Sequence, residues 1–399
     1  MSKYSNNDLK LVFDNYINAK RLSVTSEILR GQISTYAKDF GFHEFYSSKY
    51  PYTAIWKITS GCNLRCKHCF FFAKNEYDNS TDLLTQDLYN IIDQLSEIGV
   101  VEVRLTGGEI FLRKDIFEII KYIKKHNISI IITSNGTTLN KSNVNKLKKL
   151  LHPKTDIVRI SLEGADAQTN DVTRGKGSFN KAINAIKLLT QNGIKTFVSS
   201  TITNLNITQI KDLYFLCDKL EVEQITYIKM ISLSPEQYYL IPDSDDIVYE
   251  MARLLKSLKG SEKTCIDSRL FTPYDFLKNE KTKPLLLKEL KNRNLSDKNS
   301  NYYHCNPDKS FYIDSDGKVF LCPLSADYKI FELGDLKKEN LENIFSKRKN
   351  NILFSCHTNE SPVCKDCSII NFCKGGCMVK AFVKNGYLPS HSCNTEITD

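Results

Sequence analysis

The sequence lacks any stretch approaching 18 consecutive apolar residues, and its mean hydropathy is −0.34. A helix crossing a membrane is therefore not expected. The first 30 residues show no basic patch followed by an apolar stretch, so no secretory signal is expected and the chain reads as cytoplasmic. Low-complexity tracts are absent, and so is any short fixed-period repeat. Charge of one sign is in small excess, with 55 Lys and Arg against 46 Asp and Glu, a net +9 spread over 399 residues. Basic residues interleaved with aromatics are missing from the motifs, so nucleic acid is not an expected partner. What remains is 41% hydrophobic and 25% charged. That is an ordinary globular mixture, long enough for one large domain or two smaller ones.

Cysteine, by contrast, is abundant, at 13 residues. Cytosolic thiols stay reduced, so clustered cysteines point to metal before disulfides. Leu9, Val12, Phe13, Tyr16 and Ile17 recur at helical spacing, so residues 1–50 read as an N-terminal helical segment, with a second helical stretch near 22–38. From residue 54 a strand–helix rhythm runs six times. Strands are expected at 54–59, 100–105, 128–133, 157–162, 195–202 and 225–231. Helices are expected near 85–98, 115–126, 142–151, 178–192, 207–220 and 247–258. The strands are short, nearly continuous apolar runs, as in a parallel sheet covered on both faces. Six units are too few for a closed eightfold barrel, so the expected fold is a partial, laterally open (β/α)6 TIM-like barrel. Its chemistry belongs at the C-terminal ends of the strands. The division is 1–50 helical, 51–235 core barrel, 236–302 connector with a helix around 283–292, and 303–399 a cysteine-rich domain with strands flanking the turn Asp314–Gly317.

Cys62, Cys66 and Cys69 follow the first strand in GCNLRCKHCF. Three thiolates on one short loop can converge on one metal centre. Zinc takes four ligands, usually as two pairs, whereas a 4Fe–4S cluster held by three cysteines leaves one iron for another ligand. His68 lies between Cys66 and Cys69, where reaching a shared ion is strained. Packing of three core cysteines would need no such spacing. Cys-X3-Cys-X2-Cys after the first strand resembles the radical S-adenosylmethionine (radical SAM) superfamily. The resemblance implies SAM bound at the free iron, its reductive cleavage, and a 5′-deoxyadenosyl radical that takes hydrogen from a substrate.

Further motifs carry the same resemblance. It implies that Gly107, Gly108 and Glu109, after the second strand, hold the SAM amino group. Ser161 matches the ribose and carboxylate contact, and Arg174 in TRGKGSF matches the arginine that pairs with the SAM carboxylate. Asn135 ends the third strand in TSNG and joins the cofactor-binding set, as does Phe71, placed where relatives set an aromatic near adenine. Glu163 stands where many relatives carry Asp. Phe71 and His68 read equally as packing residues, and Arg174 alone as a solvated surface residue.

The C-terminal cysteines run Cys305-X11-Gly317-X4-Cys322, then Cys364-X2-Cys367-X5-Cys373-X3-Cys377, then X15-Cys393. Seven thiols are too many for one zinc; two zinc sites are the alternative. The spacing resembles the SPASM domain, an auxiliary-cluster extension of radical SAM enzymes. It implies two auxiliary 4Fe–4S clusters, one held by Cys305, Cys322 and Cys377, the other by Cys364, Cys367, Cys373 and Cys393. Cys356 or Cys265 is a spare fourth ligand for the first, and Cys217 reads as a core thiol. The clusters would accept an electron from a substrate radical, bind a substrate thiolate, or clamp a small domain.

Such enzymes mostly mature ribosomal peptides or small proteins, forming thioether or carbon–carbon links. Some act on small molecules. Pro323 follows Cys322 where sulfatase maturases carry Asp, which argues against that activity. The resemblance implies an iron–sulfur oxidoreductase of a peptide or small protein, fed by a donor such as flavodoxin or ferredoxin. A zinc-binding interaction protein is the reading from another class. Residues 256–300 hold 11 Lys or Arg against 6 Asp or Glu, which suits an acidic leader peptide or simply a solvated surface.

Overall fold

The computed structural model describes residues 3–22, 50–69, 79–232, 234–271, 287–288, 310–347, 377, 379 and 382–383. Phe71, Cys305, Cys356, Cys364, Cys367, Cys373 and Cys393 lie outside these residues, as do the stretch 22–38 beyond Leu22 and most of the helix expected at 283–292.

The six expected strands form where their apolar runs predict. They are β1 (Thr53–Lys57), β2 (Glu102–Thr106), β3 (Ser129–Ser134), β4 (Ile157–Ser161), β5 (Thr196–Ile202) and β6 (Gln224–Lys229), all parallel and paired in sequence order. Helices α1 (Asn6–Leu22), α2 (Thr85–Glu97), α3 (Ile116–Lys125), α4 (Lys141–Leu150), α5 (Ala167–Arg174), α6 (Ser178–Gln191), α7 (Ile210–Lys219) and α8 (Ser244–Ser257) accompany them. In α3, Ile116, Ile119, Ile120 and Ile123 stand on one face and are buried, the i, i+3, i+4, i+7 stripe that fixes a helix against a sheet. Trp56, Val103, Leu105, Ile130, Ile132, Val158, Ile160 and Val198 join the helices in one core. The alternate residues Ile131, Ile157 and Phe197 form a separate cluster on the other face of the sheet.

The sheet extends beyond six strands. Strand β7 (Cys265–Arg269), within the stretch 236–302 expected as a connector, pairs parallel to β6. Its sequence CIDSR has little local apolar spacing, and the open edge of β6 supplies its backbone partners. On the opposite edge, β8 (Ser310–Ile313) pairs parallel to β1, followed by antiparallel β9 (Lys318–Phe320) and β10 (Glu332–Asp335). The order is β10-β9-β8-β1-β2-β3-β4-β5-β6-β7, and the sheet is not closed. This is the partial α/β barrel expected, with the cysteine-rich region growing from its first strand. Helix α9 (Leu341–Ser346) follows β10. Among the described residues no helix is long and apolar enough to cross a membrane.

Candidate functional site

Because β1 to β6 are parallel, their C-terminal ends share one edge of the sheet, and the motifs gather there. Cys62, Cys66 and Cys69 lie on the loop after β1, none of them in a disulfide and all half-buried. The loop is shaped by groups the sequence reading did not single out. Asp82 accepts from Thr59 Oγ1 at 2.5 Å and from the Ser60 amide at 2.9 Å. Arg113 donates to the carbonyls of Ile58 and Leu83 at 2.7 and 3.2 Å. Gln237, in the loop after β6, donates to the Lys67 carbonyl at 2.8 Å. These residues act through contacts 22 to 170 positions away, so no local signal marks them.

Gly107 and Gly108 are needed for contact with this loop. A side chain on Gly108 would place its Cβ 2.1 Å from the Gly61 carbonyl oxygen and 2.8 Å from Cys62 Cβ; at Gly107 it would meet the Thr59 oxygen at 2.5 Å. The paired glycines thus let β2's end pack directly under the cysteine loop. Glu109 is fully buried. Its carboxylate accepts from Ser134 Oγ at 2.8 Å and from the amides of Asn135 and Phe111 at 2.7 and 3.2 Å. It therefore ties the end of β2 to the end of β3. Burial pushes its pKa up, and the donated hydrogen bonds oppose that.

Asn135 donates from Nδ2 to Asn63 Oδ1 at 3.0 Å and approaches Cys62 Sγ at 4.0 Å. Arg174, at the end of α5, is buried. It gives Nε and Nη2 to Glu163 Oε1 at 3.0 and 2.7 Å, and Nη1 lies 3.8 Å from Cys66 Sγ. Glu163 also accepts from Ser200 Oγ and from the Thr201 amide at 3.1 and 2.7 Å. His68 Nε2 stands 3.4 Å from Glu163 Oε1. Burial holds the imidazole's pKa near 4, so the ring is neutral at physiological pH. Ser161 closes β4 two residues before Glu163 and is half-buried.

Two family models match the chain: the radical SAM superfamily over residues 56–217 and the SPASM iron–sulfur cluster-binding domain over 305–368. The chain carries a radical SAM domain and a SPASM domain. The radical SAM chain is 28% identical over 253 residues to Fe-coproporphyrin III synthase of Methanosarcina barkeri, covering 60% of this chain and 61% of that protein. It is 32% identical to mycofactocin maturase MftC of Mycolicibacterium smegmatis over 41% of this chain and 40% of that one. The subtilosin biosynthesis protein AlbA of Bacillus subtilis is 26% identical over 86% of this chain and 71% of its own length. In fold it is similar to SuiB of Streptococcus suis solved with S-adenosylmethionine, at TM-score 0.68 and 19% identity, covering 86% and 76% of the two chains. The matches thus take in less than two thirds of the first two relatives.

A radical SAM domain carries a 4Fe–4S cluster and SAM, and a SPASM domain carries auxiliary clusters. The residues fit the first group. Three soft thiol donors stand on one loop, with N–H donors from Asn135 and Arg174 directed at two of the sulfurs. Burial pushes the Cys62 and Cys66 thiols up, and a coordinated metal would favour their thiolates. In the SPASM region Cys322 and Cys377 pack in one apolar cluster with Tyr312, Phe320 and Phe331, and burial first, then the neighbouring Cys377, pushes the Cys322 thiol up. Cys265 is exposed at the start of β7, and Cys217 is buried in α7.

Proposed function

We propose that this chain is an iron–sulfur enzyme that oxidatively modifies a ribosomal peptide or small protein. The observation that carries the reading is the cysteine loop at the end of β1, with Asn135 and Arg174 aimed at its sulfurs. A reduced 4Fe–4S cluster bound there with SAM would supply the chemistry of hydrogen abstraction. Cys62, Cys66 and Cys69 would hold three irons of that cluster. Arg174, buried with Glu163 and beside Cys66, holds fixed positive charge where thiolate charge gathers. Ser161 and Asn135 stand at strand ends where SAM would lie, with Gly107, Gly108 and Glu109 supporting the loop from beneath. The peptide substrate is supported by the likeness to AlbA across most of the chain and by the maturase MftC. A flavodoxin or ferredoxin would supply the electron.

A second reading, action on a tetrapyrrole, is favoured by the likeness to Fe-coproporphyrin III synthase. The test is anaerobic reconstitution with iron and sulfide, followed by metal counting and assay of 5′-deoxyadenosine. About twelve irons per chain and dithionite-dependent 5′-deoxyadenosine support the enzyme reading. Zinc without iron overturns it.

A further inference from the structure

The inner face of the sheet carries charge that the site above does not use. Glu102 and Arg104 on β2, Arg159 on β4, and Asp267 and Arg269 on β7 alternate with Val103, Val158, Ile160 and Ile266, which pack towards the helices. The five charged residues therefore share the face opposite the helices. Four of them form two pairs. Arg104 Nε meets Glu102 Oε1 at 2.6 Å, and Arg269 meets Asp267 Oδ2 through Nε and Nη2 at 3.0 and 2.9 Å.

Arg159 is left over. Among the described residues it has no hydrogen bond and no ion pair, and its Nε is buried without a partner. Its guanidinium lies over the Phe197 ring, 5.9 Å from the centroid. Three guanidiniums against two carboxylates leave a net positive charge there. Burial, reinforced by Arg269 and Arg104, lowers the Arg159 pKa to about 9, so the group stays charged at neutral pH. Arg159 is half-buried, and a guanidinium whose Nε is shut away from water without an acceptor carries an uncompensated desolvation cost. A carboxylate would relieve that cost through a charge-assisted, bidentate contact. Arg159 stands two residues before Ser161 on the same strand and the same face, about 7 Å from it along β4. A group held by Arg159 would thus lie below the edge where the cysteine loop and Glu163 converge.

We propose that Arg159 anchors a carboxylate subsite on the inner face of the sheet, where an acidic group of the substrate docks beneath the reactive end. This rests on the enzyme reading above and names a feature of its substrate: a carboxylate from an acidic peptide side chain or from a tetrapyrrole propionate.

The test uses reconstituted, SAM-loaded protein and three probes: N-acetyl-glutamate amide, N-acetyl-glutamine amide and coproporphyrin III, each titrated by calorimetry. The glutamate probe is expected to bind about tenfold or more tighter than the glutamine probe. Arg159→Gln abolishes that advantage, and Arg159→Lys keeps part of it. If coproporphyrin III alone binds in an Arg159-dependent way, the subsite stands and its ligand is a propionate. The proposal is overturned if neither carboxylate binds the wild type, or if Arg159→Gln binds them as tightly. Should Arg159→Gln fail to take up iron, Arg159→Lys and the glutamate–glutamine difference in the wild type decide. Protein that takes up iron and cleaves SAM but ignores carboxylates fails this proposal alone. Protein that binds carboxylates without taking up iron fails only the enzyme reading.

Discussion

Gly108 shows how a single atom controls the site. Its missing Cβ is what allows β2's end to lie against the Gly61 carbonyl, 2.1 Å from where that carbon would be. No side chain rearrangement relieves a contact with backbone. Gly108→Ala is expected to push the Cys62 loop outward, cost about 1–3 kcal/mol of stability, and weaken SAM binding by an order of magnitude or more. Titration of SAM into the reconstituted variant checks this; unchanged affinity would show that the loop tolerates the shift. The resemblance implies that GGE holds the SAM amino group; in the fold the nearest neighbour of its glycines is the cysteine loop itself. Arg174 matches a family arginine in the sequence, but its two hydrogen bonds to Glu163 Oε1 depend on α5, a short helix that the periodicity does not reveal.

Individual elements depend on their ends as much as on their apolar stripes. Helix α1 begins with Ser5 and Asp8 bonded reciprocally: the Ser5 amide donates to Asp8 Oδ2 at 2.9 Å, and the Asp8 amide to Ser5 Oγ at 3.2 Å, a capping box. Asp8 also pairs with Lys256 on α8, and Tyr4 donates to Asp245 at 3.0 Å, so α1 is fastened to α8. Lys256 chiefly, then the Ser5 amide, holds the Asp8 carboxyl down at about 2. The folded state thus favours the carboxylate, and the stabilisation is complete above the ordinary value of 3.8 and is lost as pH falls towards 2. Lys256 is 59% exposed, so solvent screening reduces what the pair contributes to stability. Asp8→Asn is expected to loosen α1 by about 1 kcal/mol at pH 7. Hydrogen exchange of the α1 amides should quicken several-fold at pH 7 and 5. The difference from the wild type should shrink by pH 3; a difference that persists there would assign the effect to shape rather than charge.

Across the whole molecule, the radical site and the C-terminal region are coupled by backbone. Strand β8 pairs with β1, and Ser60 Oγ lies 2.9 Å from Ser315 Oγ. The strand that launches the cysteine loop is thus held from the side by the region bearing Cys322. If Cys322 and Cys377 serve one auxiliary cluster, Cys322→Ser should lower the iron count by about four while SAM-derived 5′-deoxyadenosine persists without substrate. Iron analysis with the uncoupled cleavage assay checks both; unchanged iron would remove Cys322 from the ligand set.

By itself the sequence determined the six parallel strands, their flanking helices and the open barrel, because burial on both faces demands short apolar runs and the intervening amphipathic stripes are local properties. It also set Cys62, Cys66 and Cys69 on one short loop, since their spacing is written along the chain. Tertiary structure alone decided the rest. Strand β7 has too little apolar signal to stand apart and exists because β6 offers an open edge. The partners of Arg174 and Gln237 come from other strand ends. The surplus charge at Arg159 becomes visible only when Glu102, Arg104, Asp267 and Arg269 are folded onto one face and pair among themselves, because charge balance is a property of neighbours in space.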